Sequence, residues 1–223
     1  LQSDAKKPGK DGEKAHMAAT ILEKFIKVLD DGKPASSMQL NKDDAALLNA
    51  SVQLLTAKPM LLILNVDEAD LGRSVEELIK KHQLNGLLPD NTGAVVVSAK
   101  IEAELVSLAE DEQKEYLESL GLKESGLDRL AREAYRVLGL VSFFTAGPME
   151  ARAWTVASGA TAAEAAGVIH TDFQKKFIRA EVVAYDDFVT NGGWKGVSAK
   201  GVMRLEGRDY AVRDGDVVFF RHG

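Results

Sequence analysis

No cysteine occurs among the 223 residues. Disulfides, thiolate metal sites and cysteine nucleophiles are therefore excluded within this chain. The four histidines, His16, His82, His170 and His222, do not fall at a metal-ligand spacing. No run of about 18 apolar residues is present, so no helical membrane span is expected. The opening stretch Leu1–Lys7 lacks the apolar core of a signal peptide. A Gly-x-Ser-x-Gly elbow is missing, and so is a Gly-x-x-x-x-Gly-Lys-Ser loop to cradle phosphates. Together these absences favour the cytoplasm, and nothing points to a membrane partner.

Charge of one sign is also scarce where nucleic-acid binding would want it. Residues 141–223 carry 10 Lys+Arg and 10 Asp+Glu, leaving 18 and 24 for residues 1–140, which hold the whole net charge of −6. Bulk attraction to nucleic acid is not indicated, DNA is not expected, and any RNA contact needs a local patch. What is present is ordinary for a globular protein: 45% hydrophobic and 28% charged residues.

The apolar spacing predicts order along the chain. Residues 1–14, rich in Lys and Gly, read as a mobile surface loop. Met17, Ile21, Leu22, Phe25, Val28 and Leu29 mark one face of a helix that Gly32 and Pro34 stop, and no partner for that face is evident. A second helix is expected over 43–55 with Asn41 as its cap. Met60–Leu64 and Gly93–Ser98 read as strands buried on both faces. A helix over 74–82 joins them, the arrangement of a parallel α/β sheet. Helices follow at about 101–108, 110–120 and 127–138, the last capped by Ser125. After Leu140 the pattern changes to strands at about 141–145, 151–156, 178–184, 208–213 and 216–220. One short helix starts at the capping box Thr161–Glu164, and Asp214–Gly215 signals a hairpin. This is an α+β layout following an α/β one. Two parallel strands cannot cover their own edges, so the chain is expected to be the C-terminal portion of a longer protein.

Two motifs end those first strands, where open α/β sheets bind ligands. Asn65-Val66-Asp67-Glu68 stands where GTPases hold Asn-Lys-x-Asp, whose carboxylate reads guanine. Ser98-Ala99-Lys100 stands where a GTPase loop offers a backbone N–H to guanine O6. The pairing of the two motifs on adjacent strands raises a base-binding reading. Without it, the first is an acidic turn and the second a Ser98 N-cap. A carboxylate facing adenine meets the N1 acceptor, so Glu68 in place of Asp suggests altered base choice. The Ser-Ala-Lys loop pulls the other way, because adenine carries a donor where guanine carries O6. His170 reads as a structural histidine bonded to nearby backbone. Lys175, Lys176 and Arg179, with Lys195, Lys200, Arg204 and Arg208 beside Phe173, Phe177 and Trp194, form either an RNA-facing basic surface or a solvated face over core aromatics.

Several stretches resemble the YchF/Obg-like ATPases: Thr56-Ala57-Lys58-Pro59, Asn65-Val66-Asp67-Glu68, Thr145-Ala146-Gly147, Glu150-Ala151-Arg152-Ala153-Trp154-Thr155, Gly167–Phe173 and Asp209–Val217. The resemblance runs through nearly the whole chain and is most specific in residues 140–223. It implies that 1–55 end a helical coiled-coil arm and that 56–139 are the last part of a P-loop nucleotide domain. It implies further that 140–223 are a TGS domain with the ubiquitin-like β-grasp fold. The Asn-x-x-Glu variant is associated with ATP preference. By this resemblance Asn65, Val66, Glu68, Ser98 and Ala99 contact the purine of ATP or GTP. The P-loop and Mg²⁺ ligands belong to a parent protein, and this chain is expected to be inactive alone. The parent is expected to be a nucleotide switch at the ribosome, with Lys175, Lys176 and Arg179 facing RNA or another partner. The alternative is a non-catalytic RNA- or protein-binding module.

Overall fold

The computed structural model describes residues 10–38, 40–85, 92–148 and 150–223. The chain forms two compact units, Leu1–Val137 and Leu138–Gly223, each described by itself.

The first unit opens with α1 (Lys10–Asp30), so residues 10–14 are helical rather than the loop expected from their composition. Residues 1–9 lie outside the described residues. Gly32, at φ 74°, takes the left-handed turn after α1, and its N–H donates to Leu29 O while Lys33 N–H reaches back to Val28 O. The face of α1 is not unpartnered. Ile21 and Phe25 are buried with Ala35, and Leu22, Met38, Leu40, Leu47 and Leu54 pack against them. Met17 and Leu29, expected on the same stripe, stay 54% and 40% exposed. The second helix, α2, is shorter than its periodicity suggests, Lys42–Ser51, with Asn41 Oδ1 accepting from Asp44 N–H.

β1 (Leu61–Asn65) pairs in parallel with β2 (Gly93–Val97), as the two apolar runs predict. α3 (Val75–Lys81) lies between them in sequence and starts at a Ser74–Glu77 capping box; residues 86–91 fall outside the described residues. α4 (Ala99–Val106), α5 (Glu110–Ser119) and α6 (Gly126–Val137) follow. Leu64, Leu71, Leu78, Val96, Ile101 and Leu105 form the core. One expectation fails here: β1 is not buried on both faces. Side chains alternate along a strand, and the face holding Ile63 is open, with Ile63 49% exposed. Leu127 and Leu138, read as helix-face residues, are also exposed, at 54% and 59%. Gly126 is required by close approach. A β-carbon there would come within 2.8 Å of Glu102 Oε1 and 3.0 Å of Val97. The bare backbone lets Glu102 accept from Gly126 N–H at 2.7 Å and Leu127 N–H at 3.3 Å, satisfying donors that the start of α6 leaves orphaned.

In the second unit five strands form one sheet in the order β4-β3-β7-β5-β6. They are β3 (Leu140–Ala146), β4 (Ala151–Ala157), β5 (Phe177–Ala184), β6 (Arg204–Glu206) and β7 (Asp216–His222). β7 is central: it runs parallel to β3 and antiparallel to β5. α7 (Ala162–Ile169) and α8 (Thr171–Lys175) cover one face over Phe143, Val156, Ala180, Val182, Val218 and Phe220. On the other face α9 (Tyr185–Thr190) and α10 (Trp194–Lys200) bring Phe188 and Trp194 against Val183, Val197 and Val217.

Two expectations are corrected here. Residues 208–213 are not a strand, and Asp214–Gly215 does not close a hairpin. The backbone of 210–212 is engaged elsewhere: Ala162 N–H donates to Tyr210 O, Val212 N–H to Ala160 O, and Ala211 bridges Thr161. Gly215, at φ 80°, instead aims the chain into the sheet centre, and Ser142 receives both ends of the turn. Its N–H donates to Asp214 Oδ1 and its carbonyl accepts from Gly215 N–H. The expected single helix is joined by α8, α9 and α10, each only five to seven residues long, too short to show a period in the sequence.

Candidate nucleotide-base site and partner surface

The two motifs meet at the carboxyl ends of β1 and β2. Val66 N–H donates to Val97 O at 2.8 Å, extending the parallel ladder past Asn65. Asn65 Oδ1 then accepts from Ala99 N–H at 3.0 Å. One side chain thus binds the first loop to the second, and the Asn65 Nδ2 amide donates to nothing among the described residues. Val66 is half-buried against the core of the unit. Glu68 is exposed at the start of a short turn, Glu68–Asp70. Ser98 is 2% exposed and sits at the N-cap of α4, but its side chain makes no cap bond.

The charges nearby are fixed in pairs. Asp70 is held by Lys81 and, at 2.5 Å, by Arg73; the Lys81 hydrogen bond is the main reason its carboxyl stays below the ordinary value. The Tyr116 hydroxyl donates to Glu104, which pushes its pKa up; burial adds to this, and the Glu68 carboxylate contributes. Among the described residues Glu68 has no hydrogen bond or ion pair at the loop tip, and its charge reaches the Tyr116 hydroxyl. The Asn65–Ala99 bond was not legible in the sequence, because its partners are 34 residues apart. Glu102, which caps α6 from α4, was missed for the same reason.

In the second unit, Lys175 ends α8 and Lys176 is its C-cap; both are exposed. Arg179 lies on β5 opposite Arg221 and 3.8 Å from Glu181. The structure separates these three cations. α8 packs on the first face of the sheet through Phe173, whereas Arg179 alternates with the buried Ala180 and shares the second face with Glu181. The aromatics read beside them are largely structural: Phe173 and Phe177 pack on one core and Trp194 on the other. His170 is structural too, its Nδ1 accepting from Asp172 N–H at 3.2 Å.

The first unit thus holds a parallel strand pair whose two following loops are tied together at its carboxyl edge, and the second is a separate five-stranded sheet. Comparison gives the family. A family profile named YchF-GTPase_C, described as "Protein of unknown function (DUF933)", matches residues 140–223. Over 99% of its length the chain is 47% identical to the "Ribosome-binding ATPase YchF" of Haemophilus ducreyi. It is 42% identical to the Bacillus subtilis protein of that name over 90% of the chain. It is 40% identical to "Obg-like ATPase 1" of Rattus norvegicus over 87%. The structure of the Schizosaccharomyces pombe YchF GTPase superposes on 91% of the chain with TM-score 0.75 and 29% identity, the chain covering 53% of it. The chain belongs to the YchF/Obg-like family. It spans 59%, 55% and 49% of those three curated relatives.

Proposed function

We propose that this chain is the base-reading and partner-binding portion of a nucleotide switch ATPase that works on the ribosome in the cytoplasm. In this reading residues 1–55 end a helical arm, 56–139 complete a P-loop nucleotide domain, and 140–223 are a TGS domain of β-grasp type. The observation that carries it is the Asn65 Oδ1–Ala99 N–H bond, which makes one site of two loops ending adjacent parallel strands. The relatives named ribosome-binding ATPases support both the nucleotide and the partner.

The same bond supports ATP over GTP. In the guanine-reading arrangement a loop N–H points at O6; here the Ala99 donor is engaged by Asn65. That removes a donor from the position where adenine presents its own amino group, and with it the conflict between the two motifs. Asn65 Nδ2, Val66 and the carboxylate of Glu68, unpaired among the described residues, remain to meet the purine. Among the described residues no three His, Asp or Glu side chains cluster tightly enough to hold a metal. The Mg²⁺ implied by the family resemblance is assigned to the phosphate-binding part of the parent.

Competitive titration of ATP and GTP against the full-length protein tests this. ATP is expected to bind at least as well as GTP, and Glu68→Asp to move the preference toward GTP. Each hydrogen bond that guanine gains to the carboxylate is worth about 1.5–3 kcal/mol. A strong native GTP preference that the substitution leaves unchanged would sink the base assignment.

A further inference from the structure

The second face of the five-stranded sheet is covered unevenly. Across β5 and β7, Val183 stands opposite Val217, Glu181 opposite Phe219 and Arg179 opposite Arg221. Alternation puts these six side chains on one face in three successive rows. α9 and α10 close over the first row, where both valines are 1% exposed. The cover stops there. Phe219 lies on the central strand and is nonetheless 39% exposed, and Leu205 of β6, opposite Glu181, is 60% exposed. The last row is two arginines whose side chains are 52% and 51% exposed.

Beneath them Glu181, 8% exposed, holds the row in place. It accepts from Arg221 Nε at 2.9 Å and Nη2 at 3.2 Å, and it lies 3.8 Å from Arg179 Nη2. The Arg221 guanidinium stands 4.4 Å from the centre of the Phe219 ring, and Trp194 supports that ring edge-on at 6.1 Å. One carboxylate shared by two guanidiniums leaves a net positive charge beside an exposed aromatic, at the uncovered end of this sheet face.

We propose that Phe219, Arg179 and Arg221 form a binding platform for single-stranded RNA. The inference deepens the reading of residues 140–223 as the partner-binding module and rests on it. The chemistry fits a single strand. An unpaired base offers an apolar face to Phe219 and the guanidinium plane of Arg221, while Arg179 offers a fixed cation to the adjoining phosphate. A duplex offers the phosphates without the base faces. The arginines complement phosphate in charge and in their paired donors. Lys175 and Lys176, on the other face of the sheet, are not part of the platform.

The test is fluorescence anisotropy of the whole chain with a labelled single-stranded oligouridylate RNA at low salt, alongside ribosome co-sedimentation. Phe219→Ala is expected to weaken RNA binding about tenfold or more, while Phe219→Tyr binds like the parent. Arg179→Gln, at an exposed site that leaves the core intact, should weaken binding and lower the salt slope by about 0.7, one phosphate contact. Lys175→Ala with Lys176→Ala should leave both unchanged. If Phe219→Ala fails to fold, Arg179→Gln and Phe219→Tyr carry the comparison alone. Unchanged binding and slope in Arg179→Gln, or in a folded Phe219→Ala, would overturn the platform. So would loss of binding confined to the lysine pair. A chain that sediments with ribosomes yet binds no RNA shows a protein partner, overturning the platform but leaving the module reading intact. A chain that does neither overturns both.

Discussion

Asp216 shows how single residues set the second unit. It is 3% exposed at the start of the central strand, yet it has a full set of donors: Tyr210 Oη at 2.8 Å, Arg213 N–H at 2.9 Å and Arg204 Nη2 at 3.3 Å. A buried carboxylate is tolerated on those terms and costly on any others. Removing one donor by Tyr210→Phe is expected to cost about 1.5–3 kcal/mol at neutral pH, measured by urea unfolding. The pH dependence has a definite sign. Burial, and then the hydrogen bond to Asp216, raise the pKa of the Tyr210 hydroxyl above its ordinary 10.0. Its contribution is therefore whole below that value and is lost as pH rises through the raised one. The gap between the parent and Tyr210→Phe should accordingly narrow in strongly alkaline buffer, and a gap that widens there would contradict the assignment. At this scale the sequence was legible where local rules act. Asn41, Ser125 and Thr161 cap their helices as their spacing predicts, with Asp44, Asp128 and Glu164 N–H donating to them. Contacts between residues far apart, such as Asn65 with Ala99 and Glu102 with Gly126, leave no local trace.

Among elements, those with a strong local signal were the legible ones. The unbroken apolar runs declare β1 and β2, the periodic face declares α6, and the Thr161 box declares α7. The readings fail where turn chemistry serves a different topology. Asp214–Gly215 is a turn with the expected positive φ, but it delivers β7 to the middle of the sheet rather than back onto residues 208–213. The face of Arg179 was hidden by the register shift between Phe177 and Arg179. Because of that irregularity Phe177 and Ala180, three positions apart, both reach the same core. α10 offers a test of element packing. A β-carbon on Gly196 would land on the Asn191 carbonyl, which is backbone and cannot swing aside. Gly196→Ala is expected to destabilise the second unit by about 1–3 kcal/mol despite the better helix propensity of alanine. A thermal midpoint equal to or above that of the parent would show that α9 and α10 are not packed as described.

Across the whole molecule, the two units divide the proposed work. The purine site proposed for the first unit lies where Asn65 ties the ends of β1 and β2 together, and the second presents a sheet with one open, arginine-rimmed end. The second unit has its own core around Phe143, Val182 and Val218 and its own capped helix. About 85 residues is small but enough for independent folding. The measurement that reaches the centre of this account is ribosome co-sedimentation of residues 138–223 and residues 1–137 as separate pieces, each first checked for a dispersed amide spectrum. Residues 138–223 are expected to fold alone and to sediment with ribosomes at low salt, weakening as salt rises, while 1–137 stays in the supernatant. Ribosome binding carried by 1–137 alone, with a folded 138–223 left behind, would contradict it.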